Sequence, residues 1–127
     1  MAARILIVDD DVSVTDTFSR ILRLEGDEVW AALSADAGLS LAKAHRPQAV
    51  ILDLRMPLTN APQFLRAVRT IPGLPNTPVA IATGDYHVDR AQVAEIRTLS
   101  AELRCKPLWL DELVALAREL VALPVQN

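Results

Sequence analysis

Short apolar runs alternate along this chain with stretches in which apolar residues recur at the spacing of an α-helix. The runs predict five strands, over residues 4–9, 28–32, 48–53, 78–83 and 102–105. The stretches between and after them predict five helices, over residues 12–25, 35–45, a segment that begins at 60 or 61, 88–99 and 109–123. Gly26 is expected to stop the first helix, and Ser34 to cap the second.

The first and third runs, residues 5–8 and 49–52, contain no polar alternation. Such runs are typical of strands that are buried on both faces, as in a parallel sheet between two layers of helices. The order of elements and the right-handed crossover rule then favour a doubly wound α/β fold. We predict a five-stranded parallel sheet of order 2-1-3-4-5, with five helices distributed over its two faces.

Carboxylates follow two of these strands directly. The first run ends in Asp9, Asp10 and Asp11, and the third ends in Asp53. Parallel strands place their carboxyl ends at one edge of the sheet, so these acids should meet at the switch point between strands one and three. Crowded carboxylates repel one another unless a cation lies between them, and oxygen ligands suit Mg²⁺. Asp9 to Asp11 could otherwise simply cap the first helix.

Two further polar residues end strands at the same edge, Thr83 after strand four and Lys106 after strand five. A carboxylate near Mg²⁺ can attack phosphorus, while a lysine and a hydroxyl bind the phosphoryl oxygens. This set fits the transfer of a phosphoryl group to an aspartate. The sequence has no glycine-rich Walker or dinucleotide-binding loop, so ATP or NAD binding by those devices is not expected.

Length and charge narrow the classes of protein further. A chain of 127 residues is expected to form one domain, over residues 1–127. The net charge of −3 provides no basic surface, so direct nucleic-acid binding by this chain is not expected. Its one cysteine, Cys105, cannot form an internal disulfide, and the sequence shows neither a signal peptide nor a membrane span. We therefore expect a cytoplasmic protein without membrane contact. His45, Arg66 and Arg69 are expected at solvated surfaces.

Four motifs, taken together, resemble the receiver domains of two-component response regulators. They are residues 5–11, residues 51–57, residues 82–84 and residues 105–107, in the family's order and at similar spacing. The resemblance covers almost the whole chain and implies the flavodoxin-like fold of CheY-like proteins. It implies that Asp53 is the phosphoacceptor, and that Asp9, Asp10, Asp53 and the backbone carbonyl of Arg55 hold Mg²⁺.

The resemblance also assigns the residues around the phosphoryl group. It implies that Thr83 senses this group, that Lys106 pairs with it, and that Pro107 follows a cis peptide bond. The family usually has Tyr or Phe three residues before the lysine, where this chain has Leu103. Signal transmission would then lack the usual aromatic switch.

Two residues beside the pocket are expected to set how long the phosphoryl group survives. Arg55 and Asp85 have opposite charges and occupy the positions that line the path of attacking water in receivers. We hypothesise that they form an ion pair over the site. The alternative, equally compatible with the sequence, is that Arg55 points to solvent and Asp85 caps the helix that follows.

The resemblance implies a sensor histidine kinase or a phosphotransfer protein as phosphoryl donor. It implies a downstream protein or output domain that binds the face formed by the fourth helix, the fifth strand and the fifth helix, and homodimerisation on phosphorylation. Enzymatic activity would be limited to Mg²⁺-dependent self-phosphorylation and autodephosphorylation at Asp53.

Two alternatives stay open at the level of the sequence. One is a degenerate receiver that acts only as a binding module, which Leu103 keeps open. The other is a small phosphatase of the haloacid dehalogenase-like type, with Asp9 as nucleophile and Asp11 as acid, which leaves Asp53 without a role.

Overall fold

The computed structural model describes residues 3–53, 61–71, 77–83, 94, 98, 101–105 and 110–122. For residues 53, 61–62, 82–83, 101–105 and 110–111 it describes the backbone alone. The elements are β1 (Arg4–Val8), α1 (Val12–Leu24), β2 (Glu28–Ala32), α2 (Ala35–His45), β3 (Ala49–Asp53), α3 (Ala61–Arg69), β4 (Val79–Thr83), β5 (Ala101–Cys105) and a last helix (Leu110–Ala122). Ala94 and Thr98 are helical as well, inside the predicted fourth helix.

All five strands form one parallel sheet in the order β2-β1-β3-β4-β5. This order confirms the predicted topology. Strand β1 lies between β2 and β3, and its four residues 5–8 are all buried, as the unbroken apolar run predicts. The α/β architecture of the described residues is therefore the predicted one.

Two apolar layers cover the sheet, and β1 contributes alternate residues to each. Leu6 and Val8 pack with α2 and α3 on one face, whereas Ile5 and Ile7 pack with α1 and the last helix on the other. The largest buried side chain of the first layer is Phe64 of α3. Among the described residues, helices thus pack on both faces of the sheet.

The predicted helix ends are confirmed where a cap was recognised. The Ser34 hydroxyl accepts a hydrogen bond from the Ala37 amide at 3.2 Å, and α2 has the predicted bounds. Gly26 follows α1 with φ of +94°, a conformation that L side chains rarely adopt. The predicted first strand is one residue too long, because the chain turns at Asp9 into the start of α1.

Two surface predictions have different outcomes. His45 is exposed at the end of α2, and its ring stacks on Trp30 of β2 with centroids 4.3 Å apart. Arg69 is only partly exposed, and it donates a hydrogen bond to the carbonyl of Thr77 ahead of β4. Burial lowers the pKa of the Arg69 guanidinium from its ordinary value. The prediction of a solvated Arg69 was wrong, because this side chain ties α3 to the start of β4.

Candidate functional site

The strand register brings the predicted site positions to one edge of the sheet. Val8 of β1 pairs with Leu52 of β3, so Asp9 and Asp53 each come one residue beyond a paired position on neighbouring strands. On the other side of β3, Asp53 pairs with Ala82, and Thr83 follows. The backbone positions of Asp9, Asp53 and Thr83 therefore occupy three adjacent strand ends.

Asp9 is held in place by two hydrogen bonds with backbone groups. Its amide donates to the Ala32 carbonyl at 3.0 Å, which anchors it to the end of β2. One of its carboxylate oxygens, Oδ1, accepts the amide of Asp11 at 3.0 Å. Only 4% of this residue is exposed. Burying a carboxylate is costly unless hydrogen bonds or a cation compensate it, and the amide of Asp11 provides one such bond.

The other two acids of the run differ from Asp9. Asp10 is exposed, next to the buried carboxylate. Asp11 is the N-cap of α1, and its carboxylate accepts the amides of Ser13 at 2.9 Å and Val14 at 3.3 Å. Capping, which the sequence offered as the simple explanation for all three acids, thus accounts for Asp11. Its carboxylate is occupied in a way that does not suit the general acid of a phosphatase.

The donor set at this edge fits a hard divalent cation. Asp9 and Asp10 supply carboxylate oxygens, and the Asp53 backbone lies on the neighbouring strand end. Among the side chains that the structure describes, no group of three His, Cys, Asp or Glu residues could hold a metal ion. The predicted third carboxylate belongs to Asp53, whose side chain lies outside that description.

Several predicted site residues are not tested by this geometry. For Thr83 and Leu103 the structure gives the backbone, on β4 and β5. Thr83 pairs with Cys105, the residue that precedes Lys106. Arg55, Asp85, Lys106 and Pro107 lie outside the described residues.

One residue that supports the site was missed by the sequence analysis. Gly38 of α2 packs so closely on β1 that a Cβ atom there would lie 2.8 Å from Cγ2 of Val8 and 3.1 Å from Phe64. Val8 directly precedes Asp9, so Gly38 allows α2 to approach the strand that carries the buried carboxylate. The only available signal was a glycine inside a predicted helix, where this residue is unfavourable by itself.

Comparison with known proteins assigns the family. The model of the response regulator receiver domain matches residues 5–118. The chain is 34% identical over 118 residues to the transcriptional regulatory protein PrrA of Mycobacterium tuberculosis, a match that covers 93% of this chain and 49% of PrrA. It is 32% identical over 121 residues to the response regulator MprA of Mycolicibacterium vanbaalenii, covering 95% of this chain and 51% of MprA. The chain thus spans about half the length of these relatives.

Solved structures give the same fold. The chemotaxis protein CheY4 of Vibrio cholerae superposes with a TM-score of 0.86 at 26% identity, over 94% of this chain and 99% of that one. A CheY-like receiver domain protein of Methanospirillum hungatei gives 0.84 at 25% identity, over 95% and 94% of the two chains. No helix among the described residues is long and apolar enough to cross a membrane. The matches do not favour the phosphatase alternative: the chain belongs to the receiver domains of two-component response regulators, which act in phosphorylation-dependent signalling.

Proposed function

We propose that Asp53 is the phosphoacceptor of this receiver, and that Asp9, Asp10, Asp53 and the backbone carbonyl of Arg55 hold Mg²⁺ beside it. The supporting observation is the register of β1 and β3, which sets the buried Asp9 and the position of Asp53 on neighbouring strand ends. When bound, Mg²⁺ would neutralise charge on the phosphoryl oxygens. The carboxylate of Asp53 attacks phosphorus while the bond from phosphorus to the donor breaks.

The chain's own residues prepare this reaction by fixed position. The backbone of Asp9 is anchored to β2, and its carboxylate is oriented by the amide of Asp11, so little reorganisation is needed on phosphorylation. In the proposal Thr83 donates a hydrogen bond to a phosphoryl oxygen, and Lys106 supplies a positive charge. Pro107, after a cis peptide bond, aims the lysine.

Activation is proposed to proceed without an aromatic switch. Leu103 lies on β5, three residues before Lys106, and would transmit the movement of Thr83 by a change of rotamer. The expected readout is the face formed by the fourth helix, β5 and the last helix. A downstream protein or an output domain would bind there, and a homodimer would form through it on phosphorylation.

The partners follow from the family. A sensor histidine kinase or a phosphotransfer protein supplies the phosphoryl group, and the chain catalyses only its own phosphorylation and dephosphorylation. We propose that residues 1–127 act as one receiver domain in the cytoplasm, without direct contact to nucleic acid or membrane. An ion pair of Arg55 and Asp85 over the site would slow hydrolysis of the acyl phosphate several-fold.

Incubation with Mg²⁺ and acetyl phosphate, followed by intact-mass measurement, tests the assignment. We expect the protein to gain the mass of one phosphoryl group, with acetate as the other product. Asp53→Asn should abolish the gain, because an amide is not a nucleophile towards phosphorus. Asp36→Asn, at an exposed acid in the first turn of α2, is the matched control and should label normally.

The outcomes separate the alternatives. Undiminished labelling of Asp53→Asn at another carboxylate would overturn the assignment. A folded wild-type protein that gains no mass would instead be a degenerate receiver that acts as a binding module.

A further inference from the structure

A cleft outside the phosphorylation edge separates α1 from β2. Its volume is about 290 Å³. Helix α1 contributes one wall, made of Val12, Thr15, Asp16, Ser19 and Arg23, and Ala31 and Leu33 form the other. We refer to these seven residues as the α1–β2 cleft. Ala31 is exposed on the face of the sheet that α1 covers elsewhere, so the helix leaves this end of β2 open.

Strand β2 forms the edge of the described sheet, so only half of its backbone amide and carbonyl groups point towards another strand. The Glu28 amide donates to Ala3 and the Ala32 carbonyl accepts from Asp9, so residues 28, 30 and 32 bond towards β1. Because the amide and carbonyl groups of successive residues point to opposite sides of a strand, those of Val29 and Ala31 point away from the sheet. The guanidinium of Arg23 donates a hydrogen bond to the outward carbonyl of Val29 at 2.8 Å. The free edge therefore begins at Ala31.

The side chains of the cleft combine apolar lips with a polar wall. Val12 and Leu33, on the two walls of the cleft, are 62% and 50% exposed, so the cleft presents apolar surface to solvent. Ser19 is 3% exposed, and its hydroxyl has no hydrogen-bond partner among the described residues. Buried hydroxyls are normally bonded, and Ser19 is one of the residues that line the cleft.

We propose that the α1–β2 cleft binds an extended segment of a partner protein, which adds to the edge of β2 at Ala31. One side chain of this segment would insert between Val12 and Leu33 and bond the Ser19 hydroxyl. Asp16 and Arg23 bring opposite charges to the same wall, so the cleft has no excess charge that would favour a charged side chain. A neutral amide on an aliphatic stem, as in glutamine, fits all these groups.

This mode is β-augmentation, in which backbone bonds give affinity and a side-chain pocket gives specificity. Because Arg23 closes the edge at Val29, the added strand is confined to the Ala31–Leu33 end and must be short. The same contact shortens the edge that a second copy of this chain could pair with. None of the seven residues of the α1–β2 cleft belongs to the proposed phosphorylation site.

The test is NMR titration of the isotopically labelled full chain with acetylated, amidated pentapeptides Ala-Val-Xaa-Val-Ala. With glutamine at the centre we expect shifts of the amides of Ser19, Ala31 and Leu33. Peptides with leucine, glutamate or lysine at the centre should bind several-fold more weakly. Asp53→Asn should bind the glutamine peptide as the wild type does, which separates this site from the proposed phosphoacceptor.

Two variants and a control locate the contact. Ala31→Pro removes an outward amide, which an edge strand tolerates, and should abolish binding. Ser19→Ala should leave the melting temperature unchanged or higher, since the hydroxyl has no partner, yet weaken glutamine-peptide binding several-fold and remove the preference over leucine. Ser40→Ala, at an exposed serine on α2, should change neither.

Three results would overturn the proposal. The first is the absence of localised shifts at millimolar glutamine peptide. The second is binding that persists unchanged in both cleft variants. The third is a homodimer, detected by light scattering, that Ala31→Pro dissociates, because β2 would then be an interface between copies.

Discussion

At the scale of single residues, the close packing of α2 on β1 depends on the absence of a side chain at Gly38. A Cβ there would lie 2.8 Å from Cγ2 of Val8, whose branched side chain is fully buried. Gly38→Ala gains helix propensity worth at most about 1 kcal/mol. Overpacking a core costs about 1–3 kcal/mol, so we expect a net loss of stability in urea unfolding.

The same substitution in a Val8→Ala background isolates this contact. We expect Gly38→Ala to cost less there, because the clashing methyl groups have been removed. Gly26→Ala is the matched control, since no atom lies within 4 Å of its Cβ and its cost comes from φ of +94°. That cost should be equal in both backgrounds. An equal cost of Gly38→Ala in both would refute the steric explanation.

A second prediction for a single residue concerns the role of Asp10 in Mg²⁺ binding. It is exposed beside the buried carboxylate of Asp9, and like charges in close proximity oppose folding in the absence of a cation. We expect Asp10→Asn to melt at the same temperature as the wild type or higher without Mg²⁺, and to show a smaller rise when Mg²⁺ is added. Thermal melts with and without the ion measure both effects, and Asp36→Asn should keep the full rise. An undiminished rise in Asp10→Asn would remove Asp10 from the proposed metal site.

At the scale of elements, one ion pair joins the turn before β2 to the last helix. The Asp27 side chain is 1% exposed, and it accepts hydrogen bonds from the Ala3 amide and from the Arg118 guanidinium, which is 42% exposed. Removing Arg118 leaves a buried carboxylate without its cation, which costs about 3–5 kcal/mol for fully buried pairs. Because Arg118 is partly solvated, we expect Arg118→Met to cost less, about 1–3 kcal/mol.

A double-mutant cycle with Asp27→Asn measures the coupling within this pair. The double variant should be more stable than Arg118→Met alone, since no unpaired charge remains in it. Arg20→Met is the control on α1: its partner Asp16 lies 3.3 Å away, and both side chains are largely exposed. That exposed pair should contribute at most about 0.5 kcal/mol. Additive effects of the Asp27 and Arg118 variants would show that the pair does not stabilise the fold.

At the scale of the whole molecule, the two apolar layers share the strands between them. Because β1 supplies alternate residues to both, neither layer can lose its packing while the other stays intact. We expect a single unfolding transition, with far-ultraviolet circular dichroism and Trp30 fluorescence coinciding in a Trp109→Phe background. Ile7→Val in one layer and Ile81→Val in the other should each lower its stability by about 0.5–1.5 kcal/mol. Two separate transitions would contradict this shared core.

The sequence predicted those parts of the molecule that depend on local patterns. The bounds of β2 and α2 were correct because a short apolar run and the Ser34 cap are encoded within a few residues. The strand order and the neighbourhood of Asp9 and Asp53 followed from topology rules. The pairing of Asp27 with Arg118 could not be predicted, because 91 residues separate them.

The burial of polar residues in helices was the property that the sequence predicted least well. Thr15 and Ser19 of α1 are buried, although hydrophobic periodicity indicates burial only for apolar residues. Arg69 was expected in solvent, but its long side chain reaches the Thr77 carbonyl while its stem is half-buried. Hydrophobic periodicity does not report where such side chains find partners, and the α1–β2 cleft was invisible for the same reason.

The contact between Arg23 and the Val29 carbonyl has a consequence for solubility. Exposed edge strands are templates for aggregation, and natural proteins protect them with charged side chains. Here one guanidinium, reaching from α1, occupies the outward carbonyl in the first half of β2 and sets a charge beside it. The open part of the β2 edge is therefore short. A short edge can accept a short partner strand but is a poor template for aggregation, and Arg23 sets this limit.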